Sequence, residues 1–205
     1  MKLKTHTLTI LTSCIILLGC CKQAETEEYY KKGDESGKAK DYADAVLQYD
    51  KAIELNPTLV KAYNGRGICK VELKDLKGAI ADYNKVIELE PNHEWAYNNR
   101  GIAKYMLGDY ESALQDYNKS IELNPRYNDA YCNIGLCKHD LKDDKGSIEA
   151  FSKSLELDSL FAETYYYRGA SRLAIGDSAG ACADWKKAVK LGGKDIDTLI
   201  PKYCK

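Results

Sequence analysis

Residues 62–91 read AYNGRGICKVELKDLKGAIADYNKVIELEP, and residues 96–125 repeat the pattern 34 positions later as AYNNRGIAKYMLGDYESALQDYNKSIELNP. The same step carries one column of tyrosines and one column of glycines through the chain, each in five copies. The tyrosines are Tyr29, Tyr63, Tyr97, Tyr131 and Tyr165, and the glycines are Gly33, Gly67, Gly101, Gly135 and Gly169. A fixed period of this size predicts a repeat architecture, in which copies of one supersecondary unit stack in series.

Further columns with the same period predict two helices in each repeat. An aspartate column can cap the second helix, and a proline column can end it, because the residue before a proline avoids the α region. The aspartates are Asp41, Asp75, Asp109, Asp143 and Asp177, and the prolines are Pro57, Pro91 and Pro125. Glycine and small Ala or Ser columns allow two antiparallel helices to approach closely. Each repeat is therefore predicted to be a helix–turn–helix.

Taken together, these columns resemble the tetratricopeptide repeat family, whose units combine small and aromatic residues at these spacings with a terminal proline. The resemblance covers roughly residues 26–195. It implies an all-α fold, a right-handed superhelical solenoid of about five antiparallel helix pairs plus a C-terminal capping helix. The five repeats are expected within residues 28–195, at approximately 26–59, 60–93, 94–127, 128–161 and 162–195, and the cap at 196–205.

The first twenty residues predict an export signal. Lys2 and Lys4 give a positive start, and a largely apolar run extends from Thr7 to Leu18. This run is too short to span a bilayer, which needs about 20 residues, but it suits a signal peptide. It ends in Leu17-Leu18-Gly19-Cys20, which resembles the lipobox of bacterial lipoproteins. An ordinary secretory signal that happens to contain a cysteine is the alternative.

The lipobox resemblance implies that residues 1–19 are cleaved and that Cys20 is acylated, for example with palmitate. Residues 20–27 would then form the lipidated N-terminus and a short tether. Two or more acyl chains give stable membrane anchoring. The expected location is the bacterial cell envelope, where the exported protein would be lipid-anchored to the outer membrane or the cell membrane.

Charge and cysteine spacing exclude some classes of function. Lys and Arg number 30 against 31 Asp and Glu, a formal net charge of −1, whereas nucleic-acid binding needs a basic footprint. Cys69, Cys132 and Cys137 lack the spacing of metal ligands and are expected to be small core residues. The sequence therefore predicts neither a nucleic-acid partner nor a metal site.

A disulfide is predicted between Cys182 and Cys204. Cys182 replaces an aliphatic residue in a column that should face the following element, which for the last repeat is the cap carrying Cys204. An exported protein is in a compartment that permits disulfides. Two buried or free thiols are the alternative.

The family resemblance implies a concave groove lined by the first helix of each repeat, with residues beside the tyrosine column pointing into it. The predicted partner-binding residues are Lys61, Asn64, Trp95, Asn98, Asn99, Tyr105, Asn133, His139 and Tyr166. Asparagine amides both donate and accept hydrogen bonds and could hold the backbone of an extended peptide, while the aromatic residues would serve as anchors. Alternatively, the asparagines satisfy helix ends or water, and the aromatic rings pack against adjacent helices. The arginines that precede the repeat glycine, Arg66, Arg100 and Arg168, are expected to pair with carboxylates of neighbouring repeats.

Catalysis is not expected. His93 and His139 lack a second metal-binding histidine on their helices and a Ser/His/Asp set, and the chain has no glycine-rich phosphate loop. No cofactor and no small-molecule substrate are predicted. The predicted function is a membrane-anchored interaction scaffold that binds an unidentified peptide or envelope protein in its concave groove. The alternative is a structural subunit of a cell-envelope assembly or secretion complex.

Overall fold

The periodic pattern folds into successive pairs of helices. The structure is a computed structural model that describes residues 3–193, 196 and 198–204, and within these residues all regular structure is helical. The eleven helices of the described residues are α1 (Leu3–Lys38), α2 (Tyr42–Leu55), α3 (Val60–Glu72), α4 (Leu76–Leu89), α5 (Glu94–Met106), α6 (Tyr110–Leu123), α7 (Asn128–Asp140), α8 (Asp144–Leu157), α9 (Ala162–Ala174), α10 (Ser178–Lys190) and α11 (Leu199–Tyr203). The predicted all-α fold of paired helices is confirmed.

The aspartate column begins every second helix. Its carboxylates accept a hydrogen bond from the backbone N–H three residues later, as Asp75 does from Gly78 at 3.0 Å. The capping residues of α2, α4, α6, α8 and α10 are Asp41, Asp75, Asp109, Asp143 and Asp177. Each of these caps satisfies one of the free N–H groups at a helix start. The predicted capping role of the column is confirmed.

The turn inside each helix pair contains one residue in the left-handed region. Lys74 has a φ of 64°, and Gly108 holds the equivalent place in the next repeat with a φ of 81°. The backbone N–H of Asp75 donates to the carbonyl of Lys70, and that of Lys74 donates to Val71. This is the Schellman arrangement, which satisfies carbonyls at the end of a helix. Lysine occupies the position in three repeats, so no glycine column marks it.

The glycine column brings an aromatic ring of the second helix onto the backbone of the first. A Cβ atom built on Gly101 would lie 2.6 Å from Cε1 of Tyr117, and one on Gly169 would lie 2.6 Å from Nε1 of Trp185. Tyr117 and Trp185 are almost wholly buried. The close approach predicted from the small residues is therefore an aromatic–glycine contact.

Helix α1 differs from the expected N-terminal arrangement. It runs without interruption from Leu3 to Lys38, so the segment 20–27, predicted to be a tether, is helical. A helix rises only about 1.5 Å per residue, less than half the reach of an extended tether. The Cys20 side chain and those of residues 1–18 lie outside the described part of the structure. The predicted cleavage after residue 19 and the lipidation of Cys20 therefore stay predictions. In the described part of the chain, no helix combines the length and the apolar character required to cross a membrane.

The helices belong to two compact units, Met1–Pro91 and Asn92–Lys205. In the first unit, Ala45, Tyr49 and Ala52 form a core with the buried Cys69. The second unit has one core around Tyr117, Ile134 and Cys137, and another around Trp185. The predicted core placement of Cys69 and Cys137 is confirmed, whereas Cys132 is only partly buried.

A short helix closes the last repeat. Helix α11 covers the core around Trp185, whose ring centroid lies 5.6 Å from that of Tyr203. The Sγ atoms of Cys182 and Cys204 are bonded, and the two Cα atoms are 5.5 Å apart. The predicted capping helix is thus present, and the disulfide joins it to α10.

Candidate functional site

Three helices of the second compact unit, α5, α7 and α9, contribute to a cavity of about 300 Å³. We call it the amide cavity, because Asn98, Asn99 and Asn133 are among the residues that line it. Asp129 and Glu163 also line this cavity. The structure therefore brings three of the predicted partner-binding residues together.

The asparagines of the amide cavity bind one another. Nδ2 of Asn133 donates to Oδ1 of Asn98 at 2.9 Å, and Nδ2 of Asn98 lies 3.5 Å from Oδ1 of Asn99. Within the described residues, Nδ2 of Asn99 and Oδ1 of Asn133 have no hydrogen-bond partner. One amide NH₂ group and one amide oxygen are therefore left without a partner and can bind a ligand, fewer than three independent amides would offer.

Two polar residues of the amide cavity are almost wholly buried. Asn98 is 2% exposed and Thr164 is 1% exposed. Among the described residues, the hydrogen-bond partner of the Thr164 Oγ1 atom is the Sγ atom of Cys132, at 3.7 Å. Burial raises the pKa of the Cys132 thiol, and the carboxylates of Asp129 and Glu163 add to the increase. The cavity thus combines buried hydrogen-bonding groups with a negative potential.

A second cavity, of about 540 Å³, lies between α9 and the start of the C-terminal cap. We call it the tyrosine cavity, because Tyr166 and Tyr167 line it together with Glu163. The two tyrosine rings meet edge to face with centroids 5.1 Å apart, and Tyr167 also stacks on Phe151. Glu163 lines both cavities and therefore lies between them.

Trp95, Tyr105 and His139 belong to the second compact unit but line neither cavity. The Trp95 side chain is exposed near the start of α5. The Tyr105 hydroxyl donates to Asp140, and its ring packs on Tyr110. The position of Tyr105 matches the alternative interpretation, in which the aromatic residues pack against adjacent helices.

The residues around His139 do not form a catalytic triad. Its Nδ1 atom lies 2.6 Å from Oδ1 of Asp144 and 3.1 Å from Oγ of Ser171. A triad needs the acid and the nucleophile on different ring nitrogens, whereas here both contact Nδ1. Ser171 is fully buried and also contacts Ser147. This Asp–His–Ser cluster therefore offers no accessible nucleophile.

Lys61 and Asn64 lie in the first compact unit. Nζ of Lys61 is 2.6 Å from Glu27 and 4.0 Å from the centroid of the Tyr30 ring. Oδ1 of Asn64 is buried without a hydrogen-bond partner. Neither residue is part of the amide cavity or the tyrosine cavity.

The repeat arginines bind within their own repeats, which corrects the expectation of pairing mainly with neighbouring repeats. Arg100 forms two hydrogen bonds to Asp116, sixteen positions later, and the same pairing joins Arg66 to Asp82 and Arg168 to Asp184. Contacts with the preceding repeat are additional: Arg66 also binds Asp50, and Arg168 also binds the Ser152 hydroxyl. The two helices of one repeat pack directly against each other, which brings the arginine of the first helix to the aspartate of the second.

Sequence reasoning missed the aspartate column that completes these pairs. The second, third and fifth repeats have arginine and aspartate at these positions, whereas the first has Lys32 and Gln48. The fourth repeat has Ile134 and Ala150, which are both buried. The two columns change together, and that covariation within one chain was a signal for the pairing. Among the described residues, no cluster of three or more His, Cys, Asp or Glu side chains could hold a metal ion.

The sequence matches protein-family models in four segments. A model described as tetratricopeptide repeat matches residues 94–127, another of that description matches 29–59 and 129–159, and one described as TPR repeat matches 70–108. Together these segments cover more than half of the chain. Comparison with curated proteins finds no match.

Solved structures show the same fold at low sequence identity. A crystal structure of MamA protein is 24% identical with a TM-score of 0.72, covering 88% of this chain and 96% of that chain. The PilF protein of Pseudomonas aeruginosa is 20% identical with a TM-score of 0.78, covering 87% and 82%. YrrB, a TPR protein with an unusual peptide-binding site, is 21% identical with a TM-score of 0.67, covering 85% and 90%. At these identities the likeness concerns the fold alone.

Proposed function

Since the chain belongs to the tetratricopeptide repeat family, we propose that it is a non-enzymatic interaction scaffold whose amide cavity binds the backbone of an extended peptide. The observation that carries this proposal is the convergence of Asn98, Asn99 and Asn133 on one cavity of the second compact unit. An extended peptide presents unpaired N–H and C=O groups, which need partners when they leave water.

The unpaired amide groups suit such a backbone. Nδ2 of Asn99 would donate to a peptide carbonyl, and Oδ1 of Asn133 would accept from a peptide N–H. The hydrogen bond from Asn133 to Asn98 fixes the Asn133 amide beforehand, which lowers the entropy cost of binding. Backbone contacts of this kind supply affinity without reading sequence, so selectivity must come from the side chains around them.

The binding experiment compares alanine variants in the bacterial envelope. A photo-crosslinking residue at Asp129, on the cavity rim, is expected to capture a partner segment that mass spectrometry then maps. Asn99→Ala combined with Asn133→Ala is expected to reduce capture about thirtyfold, because two hydrogen bonds of about 1 kcal/mol each are lost. Asn118→Ala, an exposed asparagine on α6, is the control. Undiminished capture by the double variant would rule out the amide cavity as the site.

A second pair of substitutions tests whether Trp95 contributes to partner binding. It is an exposed aromatic side chain of the same compact unit, and aromatic residues often dominate interface energies. Combining Trp95→Ala with Asn99→Ala is expected to abolish capture while the helix content, measured by circular dichroism, stays unchanged. Capture that survives this pair of changes would place the partner on another surface.

The proposal includes a membrane anchor. The basic start, the apolar run and Leu17-Leu18-Gly19-Cys20 support export and acylation of Cys20. Cys20→Ser is expected to move the protein from the membrane fraction to the soluble fraction, because the acyl chains are lost. Cys21→Ser, one residue further along, is expected to leave the protein in the membrane fraction. The intact mass of the Cys20→Ser protein shows whether residues 1–19 are still attached.

A second candidate function is that of a structural subunit in an envelope assembly. In each of the three repeats of the second compact unit, the residue that ends the first helix is an exposed aliphatic side chain: Leu107, Leu141 and Ile175 are 47%, 37% and 46% exposed. Exposed apolar side chains in a row are typical of protein contacts. Leu107→Ser with Leu141→Ser would dissociate a stoichiometric assembly while leaving capture at Asp129 intact. Loss of capture instead of dissociation would count against this second function.

A further inference from the structure

The first compact unit contains a lysine held by a carboxylate and an aromatic ring. Nζ of Lys61 lies 2.6 Å from Oε2 of Glu27 and 4.0 Å above the centroid of the Tyr30 ring. Glu27 and Tyr30 belong to the first repeat, whereas Lys61 belongs to the second, 34 positions after Glu27. One repeat therefore provides the acceptor and the ring, and the following repeat provides the cation.

The last repeat has the same acceptor and the same ring. Glu163 and Tyr166 occupy the repeat positions of Glu27 and Tyr30, and none of the three repeats between them has this combination. On α9, the residues three and four positions after Glu163 share its helix face. Tyr166 and Tyr167 accordingly line the tyrosine cavity together with Glu163.

At the corresponding place after the last repeat, the sequence has no lysine. The position 34 residues after Glu163 is Asp197 in the sequence, and its placement lies outside the described residues. The residue at this repeat position is therefore acidic and does not correspond to Lys61. Within the described residues, Glu163 forms no ion pair and no side-chain hydrogen bond, and a cavity of about 540 Å³ lies beside it.

The described charged residues around this place are acidic. Asp129 and Glu163 are the charged residues among the described lining of the two cavities. Burial raises the pKa of the Tyr167 hydroxyl, and the Glu163 carboxylate adds to the increase. Buried polar groups stand next to these carboxylates, since Asn98 and Thr164 are almost wholly buried in the adjoining amide cavity. The second compact unit therefore presents hydrogen-bonding groups on one side of Glu163 and tyrosine rings on the other.

From these relationships we infer that the tyrosine cavity binds a lysine side chain of a partner peptide, in the way that Glu27 and Tyr30 bind Lys61. The inference rests on the proposed peptide-binding function and adds the chemistry of the partner. The peptide backbone lies in the amide cavity, and a lysine of the same peptide extends past Glu163 into the tyrosine cavity. Its ammonium group binds the Glu163 carboxylate and the face of a tyrosine ring, since aromatic faces attract cations. A partner with an acidic side chain at this place is repelled by Glu163 and Asp129.

The test is a selection from a random dodecapeptide library on the purified full chain. Lysine-containing peptides are expected to be enriched, and their affinity is expected to fall about tenfold or more with Glu163→Gln, because a charged hydrogen bond is lost. Acetylation of the peptide lysine at Nζ is expected to weaken binding by a similar factor. Glu149→Gln, which removes an exposed carboxylate from α8, is the matched control and is expected to leave affinity unchanged.

The possible outcomes separate the two proposals. Enriched peptides that lack lysine but lose affinity with Asn99→Ala would overturn the lysine site and leave the amide cavity as the binding site. Lysine peptides that bind Glu163→Gln and the unchanged chain equally would also overturn the lysine site. A selection without any enriched peptide would count against both. Circular dichroism of Glu163→Gln shows whether the variant is folded, and Tyr166→Leu provides a second, uncharged test of the same cavity.

Discussion

Arg100 and Asp116 are joined by two parallel hydrogen bonds, of 2.9 Å from Nε to Oδ2 and 2.6 Å from Nη2 to Oδ1. The Asp116 side chain is nearly buried, and Lys104 approaches Oδ2 to 2.7 Å. This two-point geometry fixes the orientation of both side chains and thereby the register of α5 against α6. The fourth repeat achieves the same helix packing with Ile134 and Ala150. The chain therefore makes the same contact with an ion pair in the third repeat and with apolar side chains in the fourth.

Replacing one partner of this pair is expected to cost more than replacing both. Asp116→Ala leaves the guanidinium of Arg100 without its carboxylate and is expected to lower the free energy of unfolding by about 3 kcal/mol. Arg100→Ile with Asp116→Ala copies the fourth repeat and is expected to recover most of that loss. Urea unfolding followed by circular dichroism gives both values. A double variant as unstable as the sum of its two single variants would show that the pair is not a replaceable unit.

The glycine beneath the aromatic ring is expected to be intolerant of even one methyl group. Gly101→Ala places a Cβ atom 2.6 Å from the Tyr117 ring and is expected to destabilise the protein by about 1–3 kcal/mol, since the ring has to leave its packed position. Gly37→Ala is the matched control, because its Cβ would meet only ordinary contacts, the nearest at 3.7 Å. This helical site is expected to become more stable by about 0.5 kcal/mol, since alanine favours helix. Equal effects of both changes in urea unfolding would contradict the aromatic–glycine contact.

The features that were predictable from the sequence are those that depend on local chemistry repeated every 34 residues. An aspartate before a helix and a proline after it act on their own backbone neighbours, so Asp75 and Pro91 could be interpreted without coordinates. The left-handed turn position was not found, because Lys74 holds it where glycine is usual. Lysine can adopt the left-handed backbone conformation at a modest cost in free energy, so the residue type at this position does not reveal the conformation.

The candidate site was less predictable because it depends on distances between repeats. Asn98, Asn99 and Asn133 were chosen for their position beside the tyrosine column, and the structure does bring them to one cavity. That Asn98 and Asn133 bind each other was not predictable, since it requires their side chains to be within about 3 Å. The correspondence of Glu163 and Tyr166 with Glu27 and Tyr30 was present in the sequence, but its meaning required the contact with Lys61.

Reduction of the disulfide is expected to loosen the C-terminal cap. Cys182 and Cys204 are separated by 22 positions, and opening a loop of that length is expected to cost about 3 kcal/mol in the chain-entropy model. The intact mass of the denatured protein is expected to rise by two hydrogens on reduction, and thermal unfolding of the reduced protein is expected to begin earlier. Cys21→Ser, which removes an exposed free thiol, leaves the mass difference unchanged. Identical masses with and without reductant would mean that the two thiols are free.

Alkaline pH is expected to unfold the protein through its buried tyrosines. Burial raises the pKa of Tyr83 and of Tyr117, and it raises the pKa of Tyr127 to about 12. Above pH ~10 these tyrosines lose their proton in the unfolded chain but keep it in the folded chain. Because the unfolded chain then binds fewer protons, stability is complete below pH ~10 and falls as the pH rises, by about 1.4 kcal/mol per pH unit for each such tyrosine.

The fourth repeat supplies the control for this alkaline transition. Phe151 holds the column position of Tyr83 and Tyr117 and is fully buried without a hydroxyl group, so Tyr83→Phe with Tyr117→Phe is expected to fold normally at neutral pH. The double variant is expected to lose about 2 kcal/mol less stability between pH 10 and 11 than the unchanged chain, because neither ring can ionise. Urea unfolding at both pH values measures this difference, and absorbance at 295 nm reports tyrosine ionisation. An equal pH dependence in the two proteins would assign the transition to other groups.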